Sequence, residues 1–232
     1  MSLPSSSLSR ARPYTGAVNG RLSNVLSVFV LAVVGLRLVQ AVKISRSSRG
    51  RSLTREVWTR IRWRHIWPVP FVLAGVLLVA VPLLMVPPLS WGWWSALGGN
   101  GSPIVGLSST TTGTLWAWLI PLVFMALVVT ALPLFANAEE RMFRSGAQHW
   151  SNRRRALKVL QFGTIHALIG IPIGVALALS VGGAYFMSVY LRAYALTGSG
   201  HEATLESTRA HTAYNALIIV TVAIAVAVDA AV

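Results

Sequence analysis

Long stretches of apolar residues recur along the chain, and several of them reach the length needed to cross a bilayer. A membrane-spanning helix needs about 20 predominantly apolar residues. Three of the stretches contain no charged residue: Val69 to Leu89, Thr114 to Phe135 and Thr212 to Val228. Leu22 to Val42 precedes a basic segment without a small-residue cleavage site, so it predicts a retained first span rather than a signal peptide.

The apolar region from Leu157 to Leu196 is interrupted near Gly170 to Pro172, which predicts two membrane helices with a tight break. The pattern therefore predicts an all-α, polytopic membrane helix bundle with about six transmembrane helices. Pro82 predicts a kink or an early end in the second span. If the first half of the interrupted region is re-entrant instead, the topology after it is inverted.

Polar and basic segments separate these stretches and divide the chain into three parts. Residues 1–21 are rich in Ser and lack apolar periodicity, which predicts a disordered tail. Residues 22–113 are assigned to N-terminal membrane helices with a basic segment, and residues 114–232 to a second membrane domain. Within the first part, Arg46 to His65 interleaves arginines with tryptophans, which predicts an interfacial amphipathic helix.

The net charge of +14 changes this picture little, because the basic residues cluster beside the apolar stretches. That placement is typical of cytoplasmic loops and favours anionic lipid as a partner, with no nucleic acid. Three segments are predicted to be cytoplasmic: Lys43 to Arg64, Arg141 to Lys158 and Thr197 to Arg209. Both termini are then outside. All 20 basic residues except Lys43 and Lys158 are arginines, which indicates a GC-rich bacterial genome and a bacterial plasma membrane.

No cysteine is present, so disulfides, thiol nucleophiles and cysteine metal sites are excluded. The candidate chemistry lies in three short patterns, each with two residues four positions apart, so that on a helix they share one face. The patterns are Glu139-Glu140 with Arg144, Phe162 with His166, and His211 with Asn215.

Each pattern also has a structural interpretation when it is taken alone. Glu140 and Arg144 are either an ion pair that only ends a span or part of a site. Glu139 points away from this pair, so it is available for chemistry. His166 in an apolar helix is either functional or a hydrogen bond between helices. His211 and Asn215 are either site residues or a helix cap with a packing contact.

Together, Glu139-Glu140-Arg141-Met142-Phe143-Arg144, Phe162-Gly163-Thr164-Ile165-His166 and His211-Thr212-Ala213-Tyr214-Asn215 resemble the three motifs of the CAAX protease and bacteriocin-processing family. This family of glutamate-type intramembrane proteases includes the CAAX prenyl endopeptidases. The resemblance covers roughly Thr114 to Val232.

The resemblance implies a metal-independent endopeptidase without a cofactor, in which Glu139 acts with His166 on a water molecule. His211 and Asn215 are then donors to the oxyanion, Arg144 pairs with Glu140, and Phe162 packs the cavity wall. A carboxylate beside an imidazole in a low-dielectric cavity is suited to that proton transfer. Zinc held by one Glu and two His is the alternative, although no HExxH motif is present.

The expected substrate is a membrane-anchored peptide or lipidated protein that is cut near the cytoplasmic face. Two other classes of function stay open at this point. One is a non-catalytic family member that acts in bacteriocin immunity or as a membrane scaffold. The other is a small transporter, which predicts more polar residues within the spans than the sequence contains.

Overall fold

The computed structural model describes residues 20–93 and 116–231, and within them the chain is helical without a strand. The first five helices are α1 Gly20–Arg46, α2 Ser48–Thr59, α3 Trp63–Ile66, α4 Val69–Leu84 and α5 Pro87–Ser90. The others are α6 Trp116–Phe143, α7 Asn152–Thr164, α8 Ile173–Ala178, α9 Ser180–Thr197 and α10 Gly200–Ala231. Short 3-10 turns occupy Ala147–His149 and Ile165–Ile169. The all-α prediction is confirmed. The predicted disordered tail lies mainly in residues 1–19, and the predicted boundary between the two membrane parts lies within residues 94–115. Both ranges are outside the described residues.

Two helical stretches in the described part of the chain are long and apolar enough to cross a membrane, Trp63–Leu84 with 22 residues and Ile173–Thr197 with 25. The first stretch consists of α3 and α4, and the second consists of α8 and α9. The predicted second span ends early, because α4 stops at Leu84, two residues after Pro82.

These two stretches pack against each other in antiparallel directions. Gly75 lies against Val181, whereas Gly174, at the start of α8, lies against Leu83 near the end of α4. At the turn beyond α4, the backbone amide of Ile173 donates to the Trp91 carbonyl at 3.0 Å. The outer side of α4 remains apolar and exposed, and it includes Phe71, Leu77, Leu78, Val81 and Met85.

The break predicted near Gly170 is present, and the segment before it is α-helical over only part of its length. Helix α7 has 13 residues, about 20 Å of rise, against a hydrocarbon core of about 30 Å. The chain then tightens into a 3-10 turn and reverses at Gly170, whose φ of +95° suits glycine. Helix α7 packs antiparallel to α8 and α9, since Gly163 meets Ala176 and Gly183 meets Phe162.

The basic segment predicted as one interfacial helix forms two helices instead. Helix α2 ends at Thr59, and Arg62 adopts an extended conformation that starts α3. The Arg62 amide donates to Nδ1 of His65 at 2.9 Å, which caps this second start. One face of α2 still packs inward, because Val57 is fully buried.

Helix α10 is the centre of the bundle. Every residue from Ala203 to Tyr214 is buried except the half-buried Glu206. One apolar cluster joins the two predicted membrane parts, since Val69 shares it with Phe143, Phe162, Phe186 and Tyr214. The first half of α10 is therefore largely enclosed, and most of its polar side chains find partners within the protein.

The three segments predicted to be cytoplasmic lie at one end of this bundle. His65 contacts Glu206 at 2.8 Å, which joins the first basic segment to the start of α10. Tyr190, near the end of α9, donates to Gln148 and accepts from the Gly146 amide in the second basic segment. Arginines of all three segments are thus concentrated at the same end.

Candidate functional site

Glu140, in the last turn of α6, is the centre of a buried polar cluster. Its carboxylate accepts from Arg144 Nη1 at 2.7 Å, from His211 Nδ1 at 2.8 Å and from Ser207 Oγ at 2.5 Å. Burial raises the pKa of Glu140, but the Arg144 charge and the His211 hydrogen bond outweigh burial and lower it below the ordinary value. Glu140 is therefore ionised, and the ion pair with Arg144 that the spacing predicts is present.

Arg144 lies between two aromatic rings and has almost no contact with water. Its guanidinium carbon is 4.3 Å from the ring centroid of Phe162 and 5.3 Å from that of Phe186. Nη2 donates to the Gly183 carbonyl at 3.4 Å, and Nε has no hydrogen-bond partner within the described residues. The two phenyl faces stabilise the cation where water does not reach it.

His211 is held in one orientation by its neighbours. The ring stacks on Phe186 with a centroid separation of 4.3 Å and an interplanar angle of 22°. Because Nδ1 faces the Glu140 carboxylate, Nδ1 carries a proton and donates it. The other ring nitrogen, Nε2, then faces Glu139 Oε2 at 3.7 Å.

Glu139 Oε2 is buried and has no hydrogen-bond donor within the part of the chain that the structure describes. A neutral His211 would direct the Nε2 lone pair at this oxygen, which is repulsive. The two atoms are within ion-pair distance but too far apart for a hydrogen bond. The geometry therefore places one carboxylate beside an imidazole that a second carboxylate orients, an arrangement suited to acid–base chemistry.

His166 lies in the 3-10 turn after α7, half-buried, and donates from Nδ1 to the carbonyl of Phe162 at 2.7 Å. Its ring contacts the Phe162 ring at 5.2 Å, and the same ring contacts His211 at 5.5 Å. No hydrogen bond or ion pair joins His166 to Glu139 among the described residues. Phe162 thus links the two imidazoles while also covering Arg144.

Asn215 lies one helical turn after His211 on α10, as the spacing predicts, and it is half-buried. Its side chain makes no hydrogen bond within residues 20–93 and 116–231. The amide is consequently available to a ligand, whereas the Nδ1 donor of His211 is already committed to Glu140.

Two residues of the cluster were not predicted from the sequence. Ser207 lies four residues before His211, so extending the spacing of His211 and Asn215 by one turn toward the N-terminus would have found it. Phe186 carries no such signal, because its contact with His211 arises only when α9 packs on α10. For the zinc alternative, no group of three or more potential ligands within the described residues has an arrangement that could hold a metal.

Comparisons of the chain with protein families, with curated proteins and with solved structures give no match. The resemblance to the CAAX protease and bacteriocin-processing family therefore depends on the three motifs alone.

Proposed function

We propose that this protein is a polytopic membrane endopeptidase of the glutamate type, similar to the CAAX protease and bacteriocin-processing family. The observation that carries the proposal is the pairing of Glu139 Oε2, buried and without a hydrogen-bond donor, with His211 Nε2 at 3.7 Å. An adjacent carboxylate, Glu140, fixes the imidazole from its other nitrogen, as an orienting acid does in other acid–base sites.

In the proposed reaction, Glu139 takes a proton from a water molecule while the water oxygen attacks the carbonyl carbon of a peptide bond. The carbonyl oxygen becomes an oxyanion, and the Asn215 amide donates to it. When the C–N bond breaks, the proton that Glu139 took from the water passes to the departing amine. His211, which Glu140 orients, lies beside this base rather than serving only as an oxyanion donor. The role of His166 rests on the family resemblance.

The membrane placement is supported by the two apolar stretches and by the exposed apolar side of α4. It is also supported by the basic segments at one end of the bundle, since arginine-rich ends face the cytoplasm. The polytopic arrangement of about six spans in a bacterial plasma membrane belongs to this proposal. Its substrate is a membrane-anchored peptide or lipidated protein, cut near the cytoplasmic surface where Glu139 lies.

A non-catalytic role as a bacteriocin-immunity protein or membrane scaffold is the second candidate. One observation favours it: within the described residues, His166 donates a hydrogen bond to the Phe162 carbonyl and forms neither a hydrogen bond nor an ion pair with Glu139. In this alternative, Glu140, Arg144, Ser207 and His211 serve only to hold α6, α9 and α10 together.

A reconstituted cleavage assay separates the two. The protein is placed in liposomes with a panel of acylated and prenylated peptides, and products are identified by mass spectrometry. Glu139→Gln keeps the size of the side chain but removes the base, so kcat/KM should fall by about 10²- to 10⁴-fold. Glu202→Gln is the matched control, because Glu202 lies in the first turn of α10, away from the cluster.

The control should retain full activity. Asn215→Ala should lower kcat with a smaller change in KM, because the amide acts on the oxyanion. If Glu139→Gln cleaves as well as the control, the mechanism is rejected. If the wild-type protein cleaves no peptide of the panel, the scaffold role is favoured.

A further inference from the structure

A second polar cluster lies on the opposite side of α10 from Glu140, where the basic segment packs against the helix. Glu206 accepts from His65 Nε2 at 2.8 Å and from Arg209 Nη1 at 2.9 Å, and it forms an ion pair with Arg64 Nη2 at 2.8 Å. The Arg62 amide donates to Nδ1 of His65, so His65 is the neutral tautomer that carries its proton on Nε2. His65 therefore positions Glu206 from the basic segment.

The charged members of this cluster form a row of alternating sign. Arg60 pairs with Glu56 at 3.1 Å, Glu56 with Arg209 at 3.6 Å, and Arg209 is followed by Glu206 and Arg64. The inner Arg209 side chain is 6% exposed, whereas the Arg60 and Arg64 side chains are each 60% exposed. Three guanidiniums face two carboxylates, so one positive charge is in excess at the two exposed ends.

Each outer guanidinium retains unused donors. Within the described residues, Arg60 and Arg64 each contact one carboxylate, while a guanidinium offers five N–H donors. Planar guanidiniums bind phosphate oxygens through paired hydrogen bonds. Residues 60–64, which run from the end of α2 into the first turn of α3, are hereafter called the elbow, and they present both ends of the row to solvent.

The elbow lies where the apolar stretch Trp63–Leu84 begins. Trp63, Trp67 and Phe71 are spaced by four residues, and they are 73%, 50% and 70% exposed. Exposed aromatic rings beside arginines are typical of the membrane–water interface, where rings lie at the level of the lipid headgroups. An aqueous anion satisfies the arginines but leaves these rings in water, whereas a phospholipid satisfies both.

We propose that the elbow binds the headgroup of an anionic phospholipid through the unused donors of Arg60 and Arg64, with Trp63 against the glycerol and upper acyl chains. This inference rests on the membrane placement in the proposed function and is independent of the proteolytic chemistry. It names a lipid partner at a defined position rather than a general attraction of the basic end for a charged surface.

The test measures lipid retained by the full chain after purification from equimolar phosphatidylglycerol and phosphatidylcholine in detergent, by native mass spectrometry. The wild-type protein should retain phosphatidylglycerol preferentially. A basic residue at an anionic surface contributes about 1 kcal/mol, or about fivefold in affinity. The Arg60→Gln/Arg64→Gln variant should therefore lose about 25-fold of the preference, and each single variant about fivefold.

Arg153→Gln is the matched control, because Arg153 is exposed at the same end of the bundle and the substitution removes the same charge. It should retain the wild-type preference, and 10-fold excess inorganic phosphate should not displace the lipid. Circular dichroism verifies that each variant is folded; if the double variant is unfolded, the single variants carry the comparison.

Equal losses in Arg153→Gln and the elbow variants would overturn the site in favour of a diffuse charge effect. Equal retention of both lipids by the wild-type protein would overturn it too, as would displacement by phosphate. Retention of neither lipid would overturn the membrane placement as well. None of these outcomes bears on whether Glu139 supports cleavage, which the peptide assay decides separately.

Discussion

Replacing Arg144 with Met isolates the contribution of the buried ion pair to stability. The Arg144 and Glu140 side chains are 1% and 0% exposed, so no water replaces the guanidinium when it is removed. Glu140 would keep its hydrogen bonds from Ser207 and His211 but lose the charge nearest to it. Removing one partner of a buried pair costs about 3–5 kcal/mol because the other charge is left uncompensated.

The aromatic contacts change this magnitude little. The lost cation–π contacts with Phe162 and Phe186 are worth about 0.5–2 kcal/mol, whereas sulfur–aromatic contacts of the new Met restore about 0.3–1.5 kcal/mol. The expected loss thus stays at about 3–5 kcal/mol, a large fraction of the stability of about 5–15 kcal/mol of a typical domain.

The assay is equilibrium unfolding in mixed micelles with an increasing mole fraction of dodecyl sulfate, followed by tryptophan fluorescence. Arg60→Gln is the control, because it breaks an exposed pair with Glu56 worth about 0–1 kcal/mol. Adding Glu140→Gln to Arg144→Met removes the uncompensated charge while keeping a hydrogen-bond acceptor for Ser207. The double variant should therefore be more stable than Arg144→Met alone.

The reasoning is refuted if Arg144→Met loses no more stability than Arg60→Gln. It is also refuted if Glu140→Gln destabilises the Arg144→Met protein further, since the residual charge would then not be the cause of the loss.

Two further predictions concern packing and pH. Gly183→Ala would place a Cβ 2.9 Å from Phe162 Cδ1 and should cost about 1–3 kcal/mol of stability. The adjacent Gly182→Ala meets only ordinary contacts at 3.8 Å, so it should be neutral or stabilise by up to about 1 kcal/mol. Equal effects of the two variants in thermal unfolding would contradict the close approach of α7 and α9. Burial raises the pKa of Glu206, but the hydrogen bonds from His65 and Arg209 and the charge of Arg64 outweigh burial and lower the pKa to about 2 from 4.5. The contribution of Glu206 to stability is therefore complete above pH 4.5 and is lost as the pH falls toward 2. Glu206→Gln should abolish that part of the acid sensitivity in unfolding measured from pH 6 to pH 2, and an unchanged pH profile would show that Glu206 does not cause it.

The sequence by itself determined the helices and the local neighbours on each of them. Apolar stretches and breaker residues predicted the helical bundle, the early end of α4 and the break at Gly170. Spacing of four predicted the ion pair between Glu140 and Arg144, because residues one turn apart on the same helix are adjacent whatever the rest of the chain does. It likewise predicted that His211 and Asn215 share one face of α10.

Only the tertiary structure decided which groups meet across helices. The family resemblance implied that Glu139 acts with His166, but the structure directs His211 toward both carboxylates and leaves His166 on the Phe162 carbonyl. Contacts between helices depend on their rotation and crossing, which side-chain packing over the whole bundle determines. For the same reason Ser207, Phe186 and the row of charges through Arg209 became visible only once α10 was enclosed by α2, α6 and α9.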